Sequence, residues 1–116
     1  MSNVQIEKFR RHLLTCLGGE WPEPCALNVQ PEGETISGDG YWIERLSYEV
    51  EPGDRVNALL LVPDGVDHEN PAPAVAVWHQ HNGQYHLGKS EPTGLEGDPS
   101  QWIGPALAKR GYVVLC

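Results

Sequence analysis

A chain of 116 residues with 40% hydrophobic content is enough for one domain, or part of one, and lies far from disordered compositions. Its formal net charge is −8, and from Glu20 to Glu69 only Arg45 and Arg55 oppose the acids. That argues against a nucleic-acid partner, which needs Lys and Arg to replace condensed counterions. The absence of any apolar run of about 18 residues argues against a membrane partner.

Residues 3–17 read as an amphipathic helix, because Ile6, Phe9, Leu13 and Leu17 recur at spacings of three and four. Ser2 with Gln5 forms a capping box, and Gly18-Gly19 supplies a stop. The apolar stripe predicts a packing helix with Arg10, Arg11 and His12 on its solvated face. Residues 20–40 are rich in Pro and Gly and read as a covering loop, with Trp21 as a buried anchor. The chain thus divides into 1–40, an N-terminal helix and covering loop, and 41–116, which carries the core.

Residues 41–62 read as a β-hairpin. Trp42, Leu46, Tyr48 and Val50 alternate onto one face, Glu51-Pro52-Gly53-Asp54 makes the turn, and Val56, Ala58, Leu60 and Val62 alternate on the return. Leu59 and Leu61 are also apolar, so the second strand is expected to be buried on both faces near its end. Residues 74–78, AVAVW, form a short apolar run that predicts a strand buried on both faces, with Trp78 in the core. A long loop follows to Asp98. Asp98 then suits an N-cap, Pro99 the first helical position and Gly111 the stop, with Ile103 and Leu107 facing inward. Residues 112–116, YVVLC, read as a second buried strand. The last three elements make a βαβ unit with a right-handed crossover.

Cys16, Cys25 and Cys116 are odd in number, widely spaced and without a CxxC. They read as reduced thiols of a cytoplasmic protein, with a Cys16–Cys25 bridge as the alternative. The N-terminus has no uninterrupted apolar core that would make it a secretory signal.

The segment VAVWHQHNGQYH concentrates the chemistry. One reading is a metal site built from His79, His81 and His86, since zinc takes three or four N, S or O donors. Against it, Gly83 and Gln84 stand where a metallo-β-lactamase-like pattern has Asp-His. A second reading is a phosphate loop, because GQYHLGKS, residues 83–90, matches G-x-x-x-x-G-K-[ST]. The strand ends too early for it, and Pro92 interrupts any following helix. A third reading is an oxyanion loop, in which a Gly-containing turn after a strand aims backbone N–H groups at empty space.

The hairpin ending in ALLLVPDG, the strand PAPAVAVWHQHNG and the segment QWIGPALAKRGYVVLC occur in the order found in the α/β-hydrolase superfamily, and LAKRGYVVLC resembles its dienelactone-hydrolase-like and acetyl-xylan-esterase-like members. The resemblance covers roughly residues 41–116. It implies the N-terminal portion of an α/β-hydrolase fold: a helix, a β-hairpin, then a βαβ unit of a mainly parallel sheet. There the strand 74–78 would lie between the strand ending at Cys116 and a later one. His79-Gln80-His81-Asn82-Gly83 would be the oxyanion loop, with Gln80 in place of the family's usual first glycine. Its donors would be the backbone N–H of His81, or alternatively of Gln80. Gly83 would permit the turn, His79 would lock the loop by hydrogen bonds, and Asn82 and His86 would line the loop and the substrate entrance. Trp42, Trp78, Trp102 and Tyr85 are further candidates for an aromatic-friendly pocket.

The resemblance implies no cofactor, a small-molecule ester or lactone as substrate, and the remaining C-terminal half of the fold as partner. A homo-oligomer is a further expectation. None of Ser2, Ser37, Ser47, Ser90 or Ser100 lies in a G-x-S-x-G elbow, so the nucleophile, acid and catalytic histidine are expected beyond residue 116. A non-catalytic α/β module that binds a partner through its sheet edge is the remaining alternative.

Overall fold

The structure is a computed structural model that describes residues 2–20, 22–81 and 83–116; Trp21 and Asn82 lie outside the described residues. Helix α1 (Asn3–Cys16) begins as the capping box predicts: Ser2 Oγ accepts from Gln5 N–H, and Gln5 Oε1 accepts from Ser2 N–H at 2.9 Å. The helix buries no residue. Phe9 is 63% exposed and Leu17 66%, so among the described residues the apolar stripe is largely uncovered.

Strands β1 (Gln30–Pro31) and β2 (Ile36–Ser37) follow within the segment read as a loop, and both pair antiparallel with β3 (Tyr41–Glu51). A tight turn at Pro52-Gly53 joins β3 to β4 (Asp54–Pro63), with Glu51 opposite Asp54. Strand β5 is Ala74–Ala76, helix α2 is Ile103–Ala108 and strand β6 is Val113–Leu115. The sheet order is β1-β3-β4-β6-β5. β6 runs antiparallel to β4 and parallel to β5, so β5-α2-β6 is the expected parallel crossover.

The expected mainly parallel sheet is not what forms. β5–β6 is the parallel pairing, whereas β1–β3, β2–β3, β3–β4 and β4–β6 are all antiparallel. The cause is connectivity: a two-residue turn can join only antiparallel strands, and the hairpin it makes is the longest part of the sheet.

The main core lies on the face opposite the one that alternation in β3 suggests. Ile43 pairs with Leu61, and Leu61 with Val114, which puts these side chains on one face under Ala108 of α2. Leu46, Ala58 and Val62 are buried on the other face, so β4 is covered on both sides near its end, as expected. The long branched side chains sit in the strands, and α2 comes close because Gly104 has no side chain. A Cβ there would meet Pro92 O at 2.6 Å and Leu61 Cδ2 at 3.2 Å. Ile103, expected inward, is 49% exposed; Gly104 and Ala108 face the sheet instead.

Strand β5 is the sheet edge, and its expected burial on both faces is absent: Ala74 and Ala76 are exposed and Val75 half-buried. Trp78, expected in the core, is 86% exposed. All three cysteines are free thiols.

Candidate functional site

The loop after β5 is built by a chain of turns. Gln84 N–H bonds to His81 O, Leu87 N–H to Gln84 O at 3.1 Å and Ser90 N–H to Leu87 O at 3.0 Å. In the first turn Gly83 is the third residue, with φ +77. Glycine adopts a positive φ without the steric cost a Cβ would bring, and that is why it stands at this position. Nothing lies within 4 Å of where a Gly83 Cβ would be, so the requirement is one of backbone conformation and not of space. Among the described residues no group accepts the backbone N–H of Gln80 or of His81. The N–H groups of Trp78 and His79 likewise have no acceptor there, so the whole stretch 78–81 leaves its donors to solvent or a ligand.

His79 Nδ1 lies 3.1 Å from Gln80 O. A carbonyl can only accept, so this bond places the proton on Nδ1. His81 stacks on Tyr85 with ring centroids 5.1 Å apart and planes at 12°. His86 is exposed. Among the described residues no three His, Cys, Asp or Glu side chains converge, so His79, His81 and His86 do not form a ligand set. The phosphate-loop reading fails on geometry too. β5 ends at Ala76, and Gly88–Ser90 is a single 3-10 turn with no α-helix directly after it.

A cleft of about 530 Å³ opens between the end of β5 and the start of α2. Trp78, His79, Gln80, Glu91, Gln101 and Trp102 are among its walls. This is the size of a small-molecule site, lined by indole and proline with a few polar groups. Trp102 is fixed by its Nε1–H, which donates to Glu96 O at 2.9 Å. Trp42, in contrast, donates to Glu44 Oε1 on its own strand and is not part of the cleft. Asp98 caps the turn at Pro99–Gln101 by accepting from Ser100 N–H at 2.8 Å, and that backbone bond holds its carboxyl below the ordinary carboxylate range.

Sequence reasoning missed Glu91. It is 2% exposed, and its carboxylate accepts from the Gln80 side-chain amide. A glutamate between Ser and Pro in a Gly-rich stretch carries no sign of burial. Thr93 is also fully buried, with its hydroxyl 2.9 Å from Lys89 O and 3.0 Å from Ser90 O.

No protein-family model matches the sequence, and comparison with curated proteins gives no match. Among solved structures, the chain is similar to a Bacteroides fragilis NCTC 9343 protein that carries a provisional assignment as an acetyl xylan esterase. The TM-score is 0.57 at 18% identity, over 95% of this chain and 28% of that one. At that identity the likeness is one of fold: this chain shares an α/β arrangement with the neighbour and spans about a quarter of its length.

Proposed function

We propose that the chain is the N-terminal part of a serine-type α/β hydrolase that cleaves a small-molecule ester or lactone, and that it supplies the oxyanion loop but not the nucleophile. The observation that carries this reading is the loop 79–83. It begins two residues beyond the parallel edge strand, turns at Gly83 with φ +77, and leaves the N–H groups of Gln80 and His81 without an acceptor among the described residues, with Gln80 on the wall of a cleft of about 530 Å³. Preset backbone donors stabilise the negative charge that develops on a carbonyl oxygen without reorganising. His81 N–H is the leading donor, with Gln80 N–H beside it. His79 braces the loop through Gln80 O; the roles proposed for Asn82, which lies outside the described residues, and for the exposed His86 are to line the loop and the substrate entrance. The esterase-like fold of the structural neighbour supports the same reading.

The test is substitution in the complete protein. Gly83→Val forbids the turn and is expected to lower kcat by on the order of 10²–10³, the effect of losing one oxyanion donor. His81→Ala leaves the backbone donor in place and should cost far less. Equal loss from both substitutions would show that the His81 side chain does the chemistry, and the reading would fall. Reading the coding sequence downstream for Pro-Asp and then G-x-S-x-G provides an independent check.

A further inference from the structure

We infer that Glu91 is a positioning residue whose buried carboxylate holds the Gln80 side chain and thereby fixes the direction of the two backbone donors. The inference deepens the hydrolase reading and rests on it. Glu91 is 2% exposed and makes no ion pair among the described residues. Burying a carboxylate without a cation is costly, so its hydrogen-bond partner matters more than usual. That partner is Gln80 Nε2. Among the described residues, this is the side-chain hydrogen bond that ties residues 77–86 to another part of the chain.

The backbone around Glu91 is anchored to the core. Gly94 N–H bonds to Glu91 O at 3.0 Å, and Gly104 N–H of α2 bonds to Pro92 O at 2.8 Å. Ala108 of α2 packs into the core with Leu61 and Val114. On its far side the carboxylate meets the backbone of Gly97, where a Cβ would come within 2.8 Å of Glu91 Oε1. Glu91 is therefore held from both sides, whereas the loop at Gln80 is exposed. The N–H groups of Gln80 and His81 belong to the two peptides that flank the Gln80 Cα. Pinning the Gln80 side chain restricts both peptide planes together.

The test has two arms. In the complete protein, Glu91→Leu should displace the backbone amide resonances of Gln80 and His81 and remove the hydrogen-bonded signature of the Gln80 side-chain amide. The reciprocal exchange, Gln80→Glu with Glu91→Gln, keeps one amide and one carboxylate in contact and should return the His81 amide to its original position. Gln80→Ala breaks the same bond from the exposed side and serves where Glu91→Leu does not fold. In the complete protein, Glu91→Leu should lower kcat on the order of 10²-fold with KM little changed, as for a misplaced catalytic geometry, and the reciprocal exchange should recover most of it. Unmoved Gln80 and His81 resonances in Glu91→Leu, or a folded reciprocal variant that recovers neither signal nor kcat, overturns the inference. If Gly83→Val lowers kcat and Glu91→Leu does not, the positioning role is wrong and the hydrolase reading stands. If neither changes kcat, the oxyanion reading is wrong, and the positioning role falls with it.

Discussion

Ser47 shows how single side chains hold the covering segment. It is 2% exposed; its hydroxyl donates to Glu32 and accepts from Arg55 Nη2 at 2.8 Å. Arg55 Nη2 also donates to Asn28 O at 2.9 Å, and its Nη1 lies 3.5 Å from Glu49. One planar fork thus joins β3, β4 and the segment that carries Asn28, a geometry that an ammonium cannot reproduce. Arg55→Lys should therefore destabilise nearly as much as Arg55→Ala in urea unfolding, and Ser47→Ala by about 1–3 kcal/mol through the groups it leaves unpaired. The sequence displays Arg55 only as one of two bases among acids, because its partners lie 6 to 27 positions away. The thiols differ as well. Burial pushes Cys116 from its ordinary 9.0 up to about 11, while Cys16 is exposed. At pH 8 Cys16 should alkylate rapidly and Cys116 slowly, as read by mass mapping. A raised value favours the neutral thiol in the folded state. The stabilisation it gives is fully present below pH 9 and is lost as pH climbs toward 11.

At the scale of elements, the existence of the longer ones was legible, whereas β1 and β2 and the packing partners were not. The spacing of Ile6, Phe9, Leu13 and Leu17 and the Ser2–Gln5 box gave α1 almost to its ends, yet the stripe that should have packed stays open. Periodicity reports that a face is apolar, not what covers it. The same limit explains Trp78, whose apolar run implied burial but which sits at the exposed edge. The site divides in the same way. Gly83 could be read because a turn needs it, whereas Glu91 could not, since its burial depends on Gly97 and α2 meeting around it. A lone 14-residue helix is marginal in water. Hydrogen exchange should therefore find the amides of 3–16 weakly protected and those of Leu59 to Val62 strongly protected. Equal protection in the two segments would mean that α1 has a partner.

The molecule as a whole is more open than its length requires. Its radius of gyration is 17.5 Å, against roughly 13 Å for a compact domain of this length. It exposes 8492 Å², whereas a folded monomer of 12.8 kDa is expected to expose about 6,300 Å². The excess of about 2,200 Å² is of the order of a protein interface, and it includes the apolar stripe of α1, Trp78 and the free edge of β5. We expect residues 1–116 alone to self-associate and to show no esterase activity on small activated esters. With a net charge of −8, association should strengthen as salt screens repulsion over the ~10 Å Debye length of 0.1 M solution. Light scattering coupled to size exclusion reads this directly, and a sharp monomer at every concentration and salt would contradict it. Ala76→Lys, a charge on the open edge, should weaken the association.

The placement of β6 also has a consequence in time. It lies between β4 and β5 in the sheet but follows both in the chain. During synthesis at ~5–20 residues per second, the stretch from Ala76 to Val113 takes on the order of a few seconds. Throughout that interval the nascent hairpin has one ladder without its neighbour, and the AVA segment has nothing to pair with. The gap between the two strands is filled only once the ribosome has delivered Val113-Val114-Leu115.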